Sequence, residues 1–227
     1  MKILECKGND YTIGLQIGTY FREILRKHAS AYENALQEAE TAEHIQKELQ
    51  ILKENMPGIY DELRGRSEGS GLSIEMITLM SSLEITSRSS SCTTVIVKQP
   101  GGRILFSHNE DEDDFTADNS AVLAYRYDDL DLYAYTNAWK LPGSADGWNS
   151  AGMVFTSNYL FYEKADFSRV SRYIACKAVY HSRTLEEAVE AVRQLKTASP
   201  FSINILDTRT DRAVNIEKDL DACYITE

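Results

Sequence analysis

The spacing of apolar residues along this 227-residue chain changes from helical to strand-like at Ser87-Arg88-Ser89-Ser90-Ser91, and that change constrains the fold more than any other feature. Before it, the pattern is helical. Ile13, Ile17, Phe21 and Ile24 recur at spacings of four, four and three, the stripe of an amphipathic helix that Asn9-Asp10 can cap. Residues 40–55 set Ile45, Leu49 and Leu52 among charges and read as a solvated amphipathic helix, interrupted by Pro57-Gly58. Residues 59–66 add a turn or two of helix, Glu68-Gly69-Ser70-Gly71 marks a loop, and Ser73 caps a helix holding Ile77, Met80 and Leu83. Gly14 and Gly18 share one helix face; since glycine weakens a helix, the pair points to a close approach of another helix.

After the switch the pattern alternates. Residues 92–97 and 103–107 flank Pro100-Gly101-Gly102, a hairpin signal. Residues 121–127 and 132–138 form two further strands around an Asp-Asp-Leu-Asp turn, and 152–156 a short one. Two helices are expected over 168–181 and 185–196, the second opening with a capping box of Thr184 and Glu187. Strands over 202–206, 213–216 and 222–225 end the pattern, so helices should cover sheet faces in a layered fold. Tyr125, Tyr127, Tyr133 and Tyr135 read as sheet-packing residues.

A net charge of −11, spread over both halves, argues against a nucleic-acid partner, which needs a basic face. No run approaches the roughly 20 apolar residues that span a bilayer, and Met1 to Lys7 lacks the apolar stretch of a signal peptide; the expectation is a cytoplasmic protein with no membrane partner. Cys6, Cys92, Cys176 and Cys223 form no C-x-x-C pair, which fits free thiols in a reducing compartment. His28, His44, His108 and His181 have no partner at metal-ligand spacing, and Asp111-Glu112-Asp113-Asp114 lacks the glycine and glutamate of a calcium loop. No phosphate-binding glycine motif occurs either, so neither metal nor cofactor is expected.

Cys92 opens the strand-rich half. A hairpin turned at 100–102 brings its neighbourhood opposite that of Asp111, so a thiol and a carboxylate can meet, although a cysteine beginning a strand is also an ordinary small core residue. A cysteine hydrolase using His108 as base, with no processing, is a further reading.

The runs Ser91-Cys92-Thr93-Thr94-Val95, residues 102–107, His108-Asn109-Glu110-Asp111 and Gly147-Trp148-Asn149-Ser150-Ala151-Gly152-Met153 extend this picture. With Gly69-Ser70-Gly71-Leu72-Ser73 before them, they resemble the acyl-CoA:6-aminopenicillanate acyltransferase family of N-terminal nucleophile hydrolases, relatives of the bile-salt hydrolases. The resemblance implies an α+β fold, a four-layer αββα sandwich at 92–227 preceded by a helical leader at 1–91. It implies a precursor that cuts itself between Ser91 and Cys92, freeing an α-amino group that serves as base to the Cys92 thiol. Asp111 would hold the amine or thiol, Asn109 would brace the hairpin, and Asn149 would be structural. The backbone N–H of Asn158 would be an oxyanion donor. His108 stands where bile-salt hydrolases have arginine, and Ser91 where the family often has glycine. The substrate class is a small linear amide or acyl donor, with no cofactor, and water or an amine as acceptor. The family's second oxyanion donor lies in a His-Thr-Asn segment, which would fall after Glu227. The expectation is therefore a domain short at its C-terminus, completed by a second copy or a complementing chain; the alternative is an inactive binding or partner module.

Overall fold

Residues 2–86, 91–111 and 114–227 are described in a computed structural model of the chain. The serine-rich run at 87–90 and Glu112-Asp113 of the acidic run lie outside them. The helical half opens on a strand that periodicity does not reveal, β1 (Lys2–Lys7). It continues with α1 (Asp10–Tyr20), α2 (Arg22–Ala29), α3 (Glu33–Gln37), α4 (Ala39–Asn55), α5 (Pro57–Ser70), α6 (Ile74–Ser81) and α7 (Leu83–Thr86). Then follow β2 (Ser91–Lys98), β3 (Ile104–Asp111), α8 (Asp114–Asp118), β4 (Ser120–Arg126), β5 (Asp131–Asn137), β6 (Asp146–Asn149) and β7 (Met153–Tyr159). The last elements are α9 (Arg172–Ala175), a 3-10 helix (Cys176–His181), α10 (Leu185–Gln194), β8 (Phe201–Asp207), β9 (Arg212–Lys218) and β10 (Cys223–Thr226). Among the described residues no helix is long and apolar enough to cross a membrane.

The caps fall where the sequence places them. Asn9 accepts from the Thr12 N–H at 2.9 Å, Ser73 from Met76 at 3.2 Å and Thr184 from Glu187 at 3.1 Å. Glu187 reaches back one residue further than a capping box requires, to the Arg183 N–H at 2.7 Å. Gly14 and Gly18 lie against α5, where an added Cβ would overlap the carbonyl oxygens of Glu62 and Arg66. Gly65 and Gly69 of α5 face α1 in the same way. This reciprocal contact explains why α5 runs on to Ser70 instead of ending near Arg66: the glycines expected to form a loop are what let two helix backbones touch, and the helix stops only at Gly71 with φ +72°. The expected helix over 168–181 shrinks to α9 and the 3-10 helix. Lys177 is drawn onto Asp10 and Glu62, and Gly143 packs against the Cys176 and Lys177 backbone, so tertiary contacts override the periodicity there.

Eight strands form one sheet in the order β1-β4-β5-β6-β7-β8-β9-β10, antiparallel throughout except for β1 beside β4, and β2 with β3 make a separate two-stranded sheet. Met153 and Phe155 of β7, Ile203 and Ile205 of β8 and Val214 and Ile216 of β9 point to one face, where they join Ile174, Val179, Ala188 and Val192 in the core. The opposite face of these strands carries Thr156, Asn158, Asn204 and Asn215, and the β2–β3 hairpin packs there against β7. The fold is thus mixed α+β, with helices on one side of a large sheet and a hairpin on the other. A second large sheet and a fourth layer are not among the described residues.

A buried ionic cluster ties the helical half to the rest. Glu62 meets Arg66 at 2.5 Å and Lys177 at 2.6 Å, Lys177 also reaches Asp10 at 2.5 Å, and Tyr125 donates to Glu62 at 3.0 Å. Arg66 spends further donors on the carbonyls of Ala138 and Lys140 at 2.9 and 3.0 Å. Burial disfavours the charge on Glu62, but Lys177 and Arg66 outweigh it and hold the carboxyl down to about 2. The tyrosines pack as expected: Tyr125 is enclosed in this cluster and Tyr133 stacks on Trp148.

Candidate active site

Strand pairing assembles the site. Cys92 faces Glu110, Thr94 faces His108 and Ser91 faces Asp111 across β2 and β3. Side chains alternate across a pleated pair, so Cys92, Thr94, His108 and Glu110 share the inner face while Thr93, Asn109 and Asp111 share the exposed one. The inner face lies on the polar side of the large sheet, where β6 contributes Asp146, β7 Thr156 and Asn158, β8 Asn204 and β9 Asn215.

The hydrogen bonds fix where the protons sit. Asn215 Nδ2 donates to Asn204 Oδ1 at 2.9 Å, and Asn204 Nδ2 donates to Asn158 Oδ1 at 3.0 Å. Thr94 gives its single hydroxyl proton to that same Asn158 oxygen at 2.8 Å. At its other contacts Thr94 Oγ1 must accept, from Thr156 Oγ1 at 2.9 Å and from His108 Nδ1 at 2.8 Å. His108 therefore carries a proton on Nδ1 and turns Nε2 toward Glu110 Oε1 at 2.9 Å and Asp146 Oδ1 at 3.4 Å. Contact at 2.9 Å needs one proton shared between Nε2 and the Glu110 carboxyl. Burial acts against the imidazolium, but Glu110 and Asp146 outweigh it and raise the His108 pKa.

Cys92 Sγ lies 3.4 Å from Glu110 Oε1. Burial, then the charge of Glu110 and its hydrogen bond, push the thiol up to about 12; a backbone hydrogen bond from Tyr159 and the charge of Arg172 oppose them. Asp146 is raised by burial to about 6 against the pull of His108. In the continuous chain the sulfur thus stays a thiol at neutral pH, in an acidic, polar chamber.

Of the residues singled out from sequence, the structure brings together Cys92, His108 and Asn158. It separates Asp111 and Asn109, which bond to each other at 2.8 Å on the exposed face. Glu110 takes the place beside the thiol that spacing suggested for Asp111, because a one-residue step along a strand reverses the face. Asn149 is a brace: its amide donates to the carbonyls of Tyr180 and Ser182 at 3.0 and 2.8 Å and its oxygen accepts from Ala151 and Met153. Asp146, Thr156, Asn204 and Asn215 were not legible as site residues. Their signal was polar residues at alternate positions in strands whose other positions are apolar.

No curated protein matches the chain. The family model described as acyl-coenzyme A:6-aminopenicillanic acid acyl-transferase matches residues 97–227, which takes in β3, the sheet strands from β4 to β10 and the asparagines that orient His108, and begins just after Cys92. With more than half of its length matched, the chain belongs to the acyl-coenzyme A:6-aminopenicillanic acid acyl-transferase family.

Proposed function

We propose that this protein is a self-processing cysteine N-terminal nucleophile enzyme that hydrolyses or transacylates a linear amide of a small acylated substrate. The observation that carries this reading is the setting of Cys92: it is the second residue of β2, in a polar chamber, whereas Cys6 and Cys176 are buried in the apolar core. Membership of an acyltransferase family supports acyl transfer as the chemistry. On this reading residues 1–91 are the leader and 92–227 the nucleophile domain, and β2 with β3 belong to the second sheet of an αββα sandwich.

The raised thiol gives the processing step its logic. While Cys92 is inside the chain its nitrogen is an amide and cannot act as base. Cleavage between Ser91 and Cys92 creates an α-amino group whose ordinary pKa is about 7.7–8.0, well placed to take the thiol proton near neutral pH. In turnover Cys92 Sγ attacks the substrate carbonyl, the α-amine passes its proton to the leaving amine, and the thioester goes to water or to a second amine. The Tyr159 backbone N–H directed at the sulfur supports an oxyanion donor at this end of β7, beside Asn158. Glu110 is the carboxylate we assign to positioning the thiol.

The test is mass spectrometry of the full-length protein held at neutral pH. Two pieces split after Ser91 are expected, with the Cys92→Ala variant intact. A folded wild type that remains uncut would remove the central claim.

A further inference from the structure

Cys92, His108 and Glu110 bring one donor atom each to within 4.8 Å of one another. Asp146 Oδ1 lies 3.4 Å from His108 Nε2, beside this trio and outside it. That oxygen is buried, accepts no hydrogen bond among the described residues and faces His108, so added positive charge on the trio is favourable to it. No metal-ligand spacing along the chain marks these three, because two strands, β2 and β3, assemble them.

We propose that Cys92, His108 and Glu110 form a binding site for a single zinc ion. One sulfur, one imidazole nitrogen and one carboxylate oxygen supply three of the four positions zinc takes in tetrahedral geometry and leave the fourth open. With Zn–S of about 2.3 Å and Zn–N and Zn–O of about 2.0 Å, tetrahedral angles require S···O of about 3.5 Å and N···O of about 3.3 Å. The observed separations are 3.4 Å for Cys92 Sγ to Glu110 Oε1 and 2.9 Å for His108 Nε2 to Glu110 Oε1, so the ion enters by small outward shifts. Thr94 already holds Nδ1–H of His108, the outer support such sites use, so Nε2 turns to the metal once the proton it shares with Glu110 leaves. Binding displaces two protons to solvent, the thiol's and the one shared by His108 Nε2 and Glu110, and commits the electron pairs of sulfur and Nε2 to the ion. A consequence that rests on the processing reading is that zinc keeps the Ser91–Cys92 bond uncut.

The test uses the full-length chain stripped with a chelator, titrated with Zn²⁺ by calorimetry and with Co²⁺ by absorbance. One ion per chain is expected, with a near-ultraviolet thiolate-to-cobalt charge-transfer band that vanishes in Cys92→Ala. Asp146→Asn, which removes a negative charge beside His108, should bind more weakly, and Thr94→Val, which removes the acceptor of the His108 Nδ1–H along with the bonds to Asn158 and Thr156, should lose roughly 10–100-fold in affinity. Circular dichroism confirms that each variant is folded. Absence of the band, or a band that persists in Cys92→Ala, overturns the site. Cleavage is then followed with chelator and with zinc: arrest by zinc supports the consequence, and equal cutting with the site filled overturns it. A chain uncut even in chelator counts against the processing reading, while the cobalt spectrum still decides the metal site.

Discussion

The Sγ of Cys92 and Oε1 of Glu110 lie 3.4 Å apart because the strand register sets these two residues directly across from each other. Asp111, one step along, faces away into solvent. After burial, the Glu110 charge is the largest force holding the thiol up at about 12. Glu110→Gln should therefore lower the thiol pKa in the uncut chain and speed alkylation of Cys92 at pH 8, each unit of fall giving about tenfold more thiolate. Asp111→Asn should leave the rate within a factor of about two, since an exposed charge is screened. Equal rates for wild type and Glu110→Gln, read from the labelled residue-92 peptide, would contradict this assignment.

Gly18 of α1 leaves no room for a Cβ beside the Arg66 carbonyl of α5. Gly18→Ala should force the helices apart and destabilise the protein by about 1–3 kcal/mol, as overpacking does, despite alanine's better helix propensity. Urea denaturation would check it. A variant as stable as wild type would mean that the helix contact is looser than described.

Lys177 is buried between Asp10 and Glu62, residues of the helical half, while itself belonging to the strand-rich half. Lys177→Met leaves Glu62 facing only Arg66 and Tyr125, and a loss of about 3–5 kcal/mol is expected from breaking such a buried network. The same cluster, with β1 paired to β4, predicts that a chain cut after Ser91 stays together. Its two pieces should co-elute in gel filtration without denaturant and in high salt, because buried pairs are poorly screened. Separation under those conditions would refute it.

Glu48 lies in the helix read from sequence as solvated, yet it is buried and accepts from the Ser171 N–H at 2.6 Å. Burial raises its pKa to about 8. Ser82 lies within hydrogen-bond distance of both Glu48 Oε2 and the Thr78 carbonyl, and its one proton goes to Thr78 if a protonated Glu48 donates to Ser82. The folded state then binds a proton that the unfolded state releases above about 4.3. Stability should fall as pH rises from there to about 8, by up to ~1.4 kcal/mol per unit from this group. Glu48→Gln, which can donate the same bond, should flatten that slope and match or exceed wild-type stability at pH 8. A slope identical to wild type in chemical denaturation across this range would rule the argument out.

Capping residues, the hairpin at 100–102 and the change of apolar period at 87–91 were legible in the sequence, because each depends on neighbours along the chain. The runs around Cys92 and Gly147 likewise pointed to the family. β1 was not legible, since a six-residue edge strand has too few alternations to stand out beside α1, and its place is set by pairing with β4. The extent of α5 was hidden for a related reason: glycine signals a loop when alone and a helix contact when a second helix supplies matching glycines.

At the site the division is sharper. The sequence by itself determined that a cysteine heads the first strand of a hairpin and that histidine and acidic residues occupy the second. Which acidic residue meets the thiol was decided by register, a matter of one residue in a period of two. Asp146 and the asparagines of β7, β8 and β9 joined the chamber only through sheet order, which places strands distant in sequence within hydrogen-bonding reach. Local spacing fixes what lies on each strand, but long-range pairing and burial decide which groups face one another and how far their protonation shifts.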